Sequence, residues 1–185
     1  MHRGVRSILE EWIFLALLGI SMAVLSLGMD FCIEVLRKFH VIASDYIDAM
    51  GTTVGNDVAV FAVWSCYTVL LITMAVAFAH FVAPQAIGSG IPEMKTILQG
   101  VVLKEYLSFR TLISKMVGLT LSIGSGLPIG KEGPFVHVGS IVASGISHWA
   151  RTFRPIYANE SRSIEMLAAG CAVGVACTFS APVGE

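Results

Sequence analysis

The sequence predicts an all-α membrane protein whose helices are of unequal length and in places broken. Three observations carry this. The chain has 185 residues of which 55% are hydrophobic and only 14% charged, with a mean hydropathy of +0.77, whereas soluble domains carry about 25% charged residues. Several segments run for 18 residues or more without a formal charge, the length a helix needs to cross a bilayer. Two glycine- and proline-rich interruptions then divide the apolar segments where a continuous helix would be the simpler solution. The net charge of −1 offers no basic field for nucleic acid and no acidic tail.

Taken in order, residues 1–11 read as a cytoplasmic lead-in carrying Arg3 and Arg6. They are not a signal peptide, because the apolar run after them is too long and no small-residue cleavage site is present. The first span is expected over 12–29 and the second over 58–78, both uncharged. The segment 107–124 is apolar but holds Arg110 and Lys115 near its start, so it spans only with those charges at the interface. The stretches 133–150 and 166–184 are again free of Asp, Glu, Lys and Arg, and rich in Gly, Ala and Ser. Small residues at that density suit helices packed closely on other helices, since lipid supplies no hydrophobic drive between them.

The charge bias favours an in, out, in path: Arg3 and Arg6 precede the first span, Asp45, Asp48 and Asp57 lie between the first two, and Lys95, Lys104, Arg110 and Lys115 come after the second. Arg37 and Lys38 run against it. The sequon Asn159-Glu160-Ser161 lies among Arg151, Arg154 and Arg162, on the side expected to be cytoplasmic, and is expected to be unused. Cys32, Cys66, Cys171 and Cys177 have no metal-ligand or CxxC spacing and read as small buried hydrophobes. His80, His137 and His148 lack a spaced ligand partner and read as core or interfacial packing.

The first interruption is Gly88-Ser89-Gly90-Ile91-Pro92-Glu93, and the second is Gly124-Ser125-Gly126-Leu127-Pro128-Ile129-Gly130-Lys131-Glu132-Gly133-Pro134. Unwound backbone at membrane depth survives only where protein buries it or it lines a polar cavity, because an unpaired amide in hydrocarbon costs several kcal/mol. Glycine permits the dihedrals and proline in a first helical turn gives up an amide that has no partner there. Each loop therefore opens onto a helix N-terminus with free N–H groups and about +0.5 elementary charge. Two such ends aimed at one point hold an anion without a full positive charge, weakly enough for it to leave. The competing reading, ordinary turns between helices, suits a lone motif of this kind; two of them, one with an embedded carboxylate, weigh against it. Glu132 is succeeded by 18 residues without Asp, Glu, Lys or Arg, and a charge at the bilayer centre costs at least about 2.5–3.5 kcal/mol. Nucleotide binding is rejected: Gly130-Lys131 suggests a phosphate loop, but position 125 is Ser and Glu132 stands where Ser or Thr would hold magnesium.

The succession GSGIPE, then GKEGPFVHVG about 40 residues on, then MLAAGCAVGVACTFSAPVG, resembles the CLC family of voltage-gated chloride channels and chloride/proton exchangers, over nearly the whole chain from about Trp12. The resemblance implies CLC-type tilted and broken transmembrane helices, residues 1–185 forming a truncated N-terminal portion of an inverted repeat. It implies a selectivity filter made of Gly88, Ser89, Gly90, Ile91 and Pro92 with Gly130, Lys131, Glu132, Gly133 and Pro134. Within it the Ser89 hydroxyl would bind chloride, Gly90 and Ile91 would open the first half helix, and the amides of Gly133 and Phe135 would face an outer site. Glu132 would be the gate, a carboxylate occupying an anion site until protonated or displaced, and Lys131 would add a positive field. Nitrate-preferring exchangers of the family resemble this segment with Pro in place of Ser89, so chloride is favoured over nitrate.

GSGIPEMKTIL, GKEGPFVHV and YANESRSIEMLAA are most similar to the plasma-membrane channel branch. The implied activity is transport rather than catalysis, with chloride as ligand, no other cofactor and no metal, the lipid bilayer as surroundings and no nucleic acid partner. The full-length form would be a homodimer with one pore per subunit. The glutamate that separates exchangers from channels would fall about ten residues beyond Pro182, so the exchanger stays as the alternative, and a non-conducting chain that interferes with full-length subunits as a second.

Overall fold

The computed structural model describes residues 2–49, 54–101, 103, 105–153 and 160–179, and these form six α-helices and one 3-10 turn with no strand among them. They are α1 (His2–Asp48), α2 (Val54–Val82), the 3-10 turn Pro84–Ala86, α3 (Ile91–Leu98), α4 (Phe109–Gly124), α5 (Glu132–Phe153) and α6 (Glu160–Phe179). Three are long and apolar enough to cross a membrane, over Glu11–Asp48, Asn56–Val82 and Ser161–Phe179. The sequence expectation of an all-α, membrane-type architecture is met.

α1 departs from its expected length. The lead-in, from His2, is continuous with the span, and the helix runs 47 residues where the uncharged run stops at Met29. Residues 30–48 contain neither Gly nor Pro, so the backbone ladder continues although the side chains turn polar. Phe14, Leu18, Met22, Ser26, Met29 and Ile33 are buried along it, a stripe at three- and four-residue spacing. That stripe meets Leu112 and Leu119 of α4, Phe135, Val138 and Ile141 of α5 and Met166 of α6 in one core.

The small residues of the last two helices serve close approach. A Cβ added to Gly139 would stand 2.3 Å from the Gly170 carbonyl oxygen, and one on Gly174 would stand 2.4 Å from that of Phe135. Only glycine lets the α5 and α6 backbones touch in this way. Polar ties complete the frame: Tyr67 Oη donates to the Leu36 carbonyl at 2.8 Å, and Arg162 of α6 pairs with Glu11 of α1. Cys32 and Cys66, expected to be buried, lie on exposed helix faces; all four cysteines are free thiols. Asn159 of the sequon lies outside the described residues.

Candidate functional site

The first loop leaves the 3-10 turn and enters α3 through two glycines in the left-handed region, Gly88 at φ 97° and Gly90 at φ 84°. Gly90 is the residue preceding the helix and has no side chain with which to cap it. A Cβ there would strike His137 Cβ at 2.8 Å and Tyr106 Oη at 2.9 Å, so both conformation and space demand glycine. Pro92 occupies the first turn of α3, giving up an amide that the helix would leave without an acceptor. The Ile91 N–H reaches Ser89 Oγ only at 3.5 Å, the limit of a hydrogen bond. The Ser89 hydroxyl hydrogen has no acceptor among the described residues.

The second loop enters α5 in the same manner. α5 begins at Glu132, and Pro134 lies in its first turn, again without an amide to strand. The Phe135 N–H donates to the Lys131 carbonyl at 3.0 Å, and the Phe135 side chain is fully buried. The first-turn donors left over are therefore the amides of Glu132 and Gly133, whereas the amide of Phe135 is already engaged. The Glu132 side chain is exposed and forms no hydrogen bond or ion pair among the described residues.

The two loops meet. A Cβ on Gly133 would stand 2.7 Å from Ser89 Cβ and 3.5 Å from Ile91 Cδ1, so residues 44 apart in sequence share one contact that only glycine allows. Ser89 and Glu132 line a common cavity of about 580 Å³, together with Ala79 of α2, Gly130, and Lys115 and Ser122 of α4. The α5 N-terminus, the hydroxyl of the loop before α3 and a carboxylate with no partner among the described residues thus share a single space, whereas Gly90, Ile91, Pro92, Lys131 and Phe135 are not among the residues that line it.

Two cations differ from expectation. Lys131 donates to Asp30 Oδ1 at 2.9 Å and Oδ2 at 3.0 Å, so its field over the loop is offset by a carboxylate from α1. Lys115, expected at the membrane interface, is instead buried at 4% exposure. Its Nζ donates to the Gly88 carbonyl at 2.9 Å and lies 3.0 Å from His137 Nδ1. His137 is fully buried; its Nε2 lies 2.9 Å from the Tyr106 carbonyl oxygen, and its ring stacks on Tyr106 with centroids 3.9 Å apart. Tyr106 Oη in turn reaches Glu93 Oε2 at 3.3 Å. A site expected to work without a buried cation therefore has one behind its first loop. The signal was in the sequence: Thr111, Lys115 and Leu119 recur every four residues, placing Lys115 on the buried face of α4. His80 and His148 lie exposed, apart from this cluster.

Comparison with known proteins gives concordant results. A family model described as voltage gated chloride channel matches residues 68–184. The chain is 59% identical over 180 residues to chloride channel protein clh-3 of Caenorhabditis elegans, covering 97% of this chain and 18% of that protein. It is 51% identical over 176 residues to chloride channel protein 2 of Homo sapiens, covering 95% and 19%. It thus spans about a fifth of the length of these curated relatives. The crystal structure of a eukaryotic CLC transporter aligns with a TM-score of 0.82 at 31% identity, covering 96% of this chain and 32% of that one.

Proposed function

The chain belongs to the voltage gated chloride channel family, and we propose that this segment forms one wall of the chloride pathway in a plasma-membrane channel subunit, gated by Glu132. The observation that carries the proposal is the contact between Ser89 and Gly133, which joins two broken-helix ends over one cavity. A chloride ion there would take the Ser89 hydroxyl and the first-turn amides of the two helices, Gly90 and Ile91 on one side and Gly133 on the other. The Phe135 amide, engaged with Lys131, would contribute through the helix dipole rather than as a direct donor. In the working channel two such subunits would pair, each with its own pore.

Glu132 provides the gate because its carboxylate and chloride compete for the same donors. Lying at the start of α5 without a partner among the described residues, the side chain can occupy the anion position or leave it, and protonation removes its charge. In a full-length subunit carrying this segment, Glu132→Gln is expected to keep the pathway open at voltages that close the wild type and to flatten the dependence on external pH. Patch-clamp recording across voltage and pH is the test. A mutant that keeps full voltage and pH dependence would mean that Glu132 serves only as a helix-end residue.

A further inference from the structure

We propose that Ser114 and Ser122 of α4 form a hydroxyl rail along the wall of the cavity, a pair of donors that replaces part of the water shell of a passing chloride and so selects it over larger, weakly hydrated anions. The inference rests on the reading of the cavity as part of the chloride pathway, and adds contacts from the side of a helix to those of the two loops.

α4 carries four hydroxyl side chains, Thr111, Ser114, Thr120 and Ser122. Two of them are engaged. Thr111 Oγ1 donates to the Glu105 carbonyl at 3.1 Å. Thr120 Oγ1 donates to the Met116 carbonyl at 2.7 Å, the bond one turn back that helical Ser and Thr side chains make with their own backbone. The hydroxyls of Ser114 and Ser122 have no partner among the described residues, and of the four these are the two that line the cavity. Gly118 lies midway between them, and positions 114, 118 and 122 share one helix face. A Cβ added to Gly118 would meet nothing within 4 Å, so the space between the two hydroxyls is open.

The rail runs from one loop toward the other. At the Ser114 end the next residue, Lys115, donates to the Gly88 carbonyl at 2.9 Å, which puts that end of the rail beside the loop of Ser89. At the Ser122 end α4 passes into the loop that leads to Glu132. There Ser125 Oγ donates to the Ser122 carbonyl at 2.7 Å, taking up a helix-end acceptor that would otherwise oppose an anion. Eight residues along the helix separate the two hydroxyls by about 12 Å.

The cavity of about 580 Å³ has room for an anion with several waters, each of which takes roughly 30 Å³ in the liquid. What α2 contributes to its lining, Ala75, Val76 and Ala79, has no side-chain donor. An ion pressed against that wall sheds water without replacement, so the donors on α4 decide how much it loses. Ser122 is half-buried. Ser114 is 1% exposed, and its Oγ is enclosed without a partner, an arrangement that folded proteins rarely keep. A serine side chain turns about one bond among three staggered wells, and turning toward the cavity gives this hydroxyl an acceptor. Chloride, small and strongly hydrated, gains more from such donors than iodide does.

The test is the iodide-to-chloride permeability ratio, from reversal potentials in a full-length subunit carrying this segment, with surface protein measured in parallel. Ser114→Ala and Ser122→Ala are each expected to raise the ratio by roughly twofold or more, the low end of one lost hydrogen bond. Ser147→Ala removes another enclosed hydroxyl without a partner, on α5 and outside the cavity lining, and is expected to leave the ratio at its wild-type value. A ratio unmoved in either conducting α4 variant overturns the proposal, as does an equal shift in Ser147→Ala. Should an alanine variant not reach the surface, Ser114→Cys or Ser122→Cys, close in size to serine with a much weaker donor, decides by the same criterion. If the cysteine variant is absent from the surface too, the hydroxyl is structural and the proposal falls. A wild type without anion current removes the reading of the site and this inference with it, whereas a conducting wild type with unmoved variants removes only the inference.

Discussion

The Lys131 ammonium bridges both oxygens of Asp30, at 2.9 and 3.0 Å, tying the loop that precedes Glu132 to α1 across 101 residues of sequence. The pair is partly exposed, at 27% for Lys131 and 49% for Asp30, so it contributes at most about 1 kcal/mol to stability. Its larger effect is to mask a positive charge beside the cavity. Asp30→Asn is therefore expected to fold normally and to raise single-channel chloride conductance at low salt, with the gain shrinking at high salt as screening sets in. Conductance unchanged at both ionic strengths would remove Lys131 from the electrostatics of the pathway.

In the proposed site Ser89 would offer the anion a hydroxyl hydrogen that no acceptor among the described residues takes up, its oxygen being reached only by the Ile91 N–H. Ser89→Pro removes that donor and the backbone N–H while leaving the two helix ends in place, and proline fits the turn only if the local dihedral tolerates it. The expected outcome is a rise in nitrate over chloride preference, because chloride, the smaller and more strongly hydrated ion, loses more from a missing donor. Reversal potentials in mixed chloride and nitrate measure it. An unchanged ratio would take Ser89 out of the filter.

The α5–α6 seam has no slack. At Gly174 even one carbon would lie 2.4 Å from the Phe135 carbonyl oxygen and 3.0 Å from Val136 Cα, backbone that cannot step aside. Gly174→Val is expected to cost about 1–3 kcal/mol or more in overpacking, and to displace the first turns of α5 that carry the site. Thermal unfolding of purified full-length subunit in detergent should show a clear drop relative to Gly118→Ala, where an added Cβ meets nothing within 4 Å. Equal melting of the two variants would contradict the packing described.

Much of the architecture was legible from side-chain chemistry. Uncharged runs gave the spans, small residues gave the helix pair at 139–174, and glycine with proline marked the loops that open α3 and α5. Hydropathy could not track α1 beyond Asp30, because a helix continues wherever the backbone ladder is unbroken, and residues 30–48 contain nothing that breaks it. Nor could it tell a lysine at an interface from one in the interior. The four-residue spacing on α4 held that information for Lys115. His137 was different: its partners Tyr106 and Lys115 lie 31 and 22 residues away in sequence, and no local pattern announces a pairing made by the fold.

The length of α1 has a structural consequence of its own. Its 47 residues extend about 70 Å at 1.5 Å per residue, more than twice the roughly 30 Å of a hydrocarbon layer. Trp12, Ile13, Phe39 and Ile42 are all exposed apolar side chains on it, and sheltering both groups in lipid obliges the helix to lean. A leaning helix works as a diagonal brace. It meets α2, α4, α5 and α6, with fastenings at Glu11 to Arg162, at Asp30 to Lys131 and at Leu36 to Tyr67. The middle fastening is the one beside Glu132, so the pitch of the brace and the seat of that carboxylate are set by the same member.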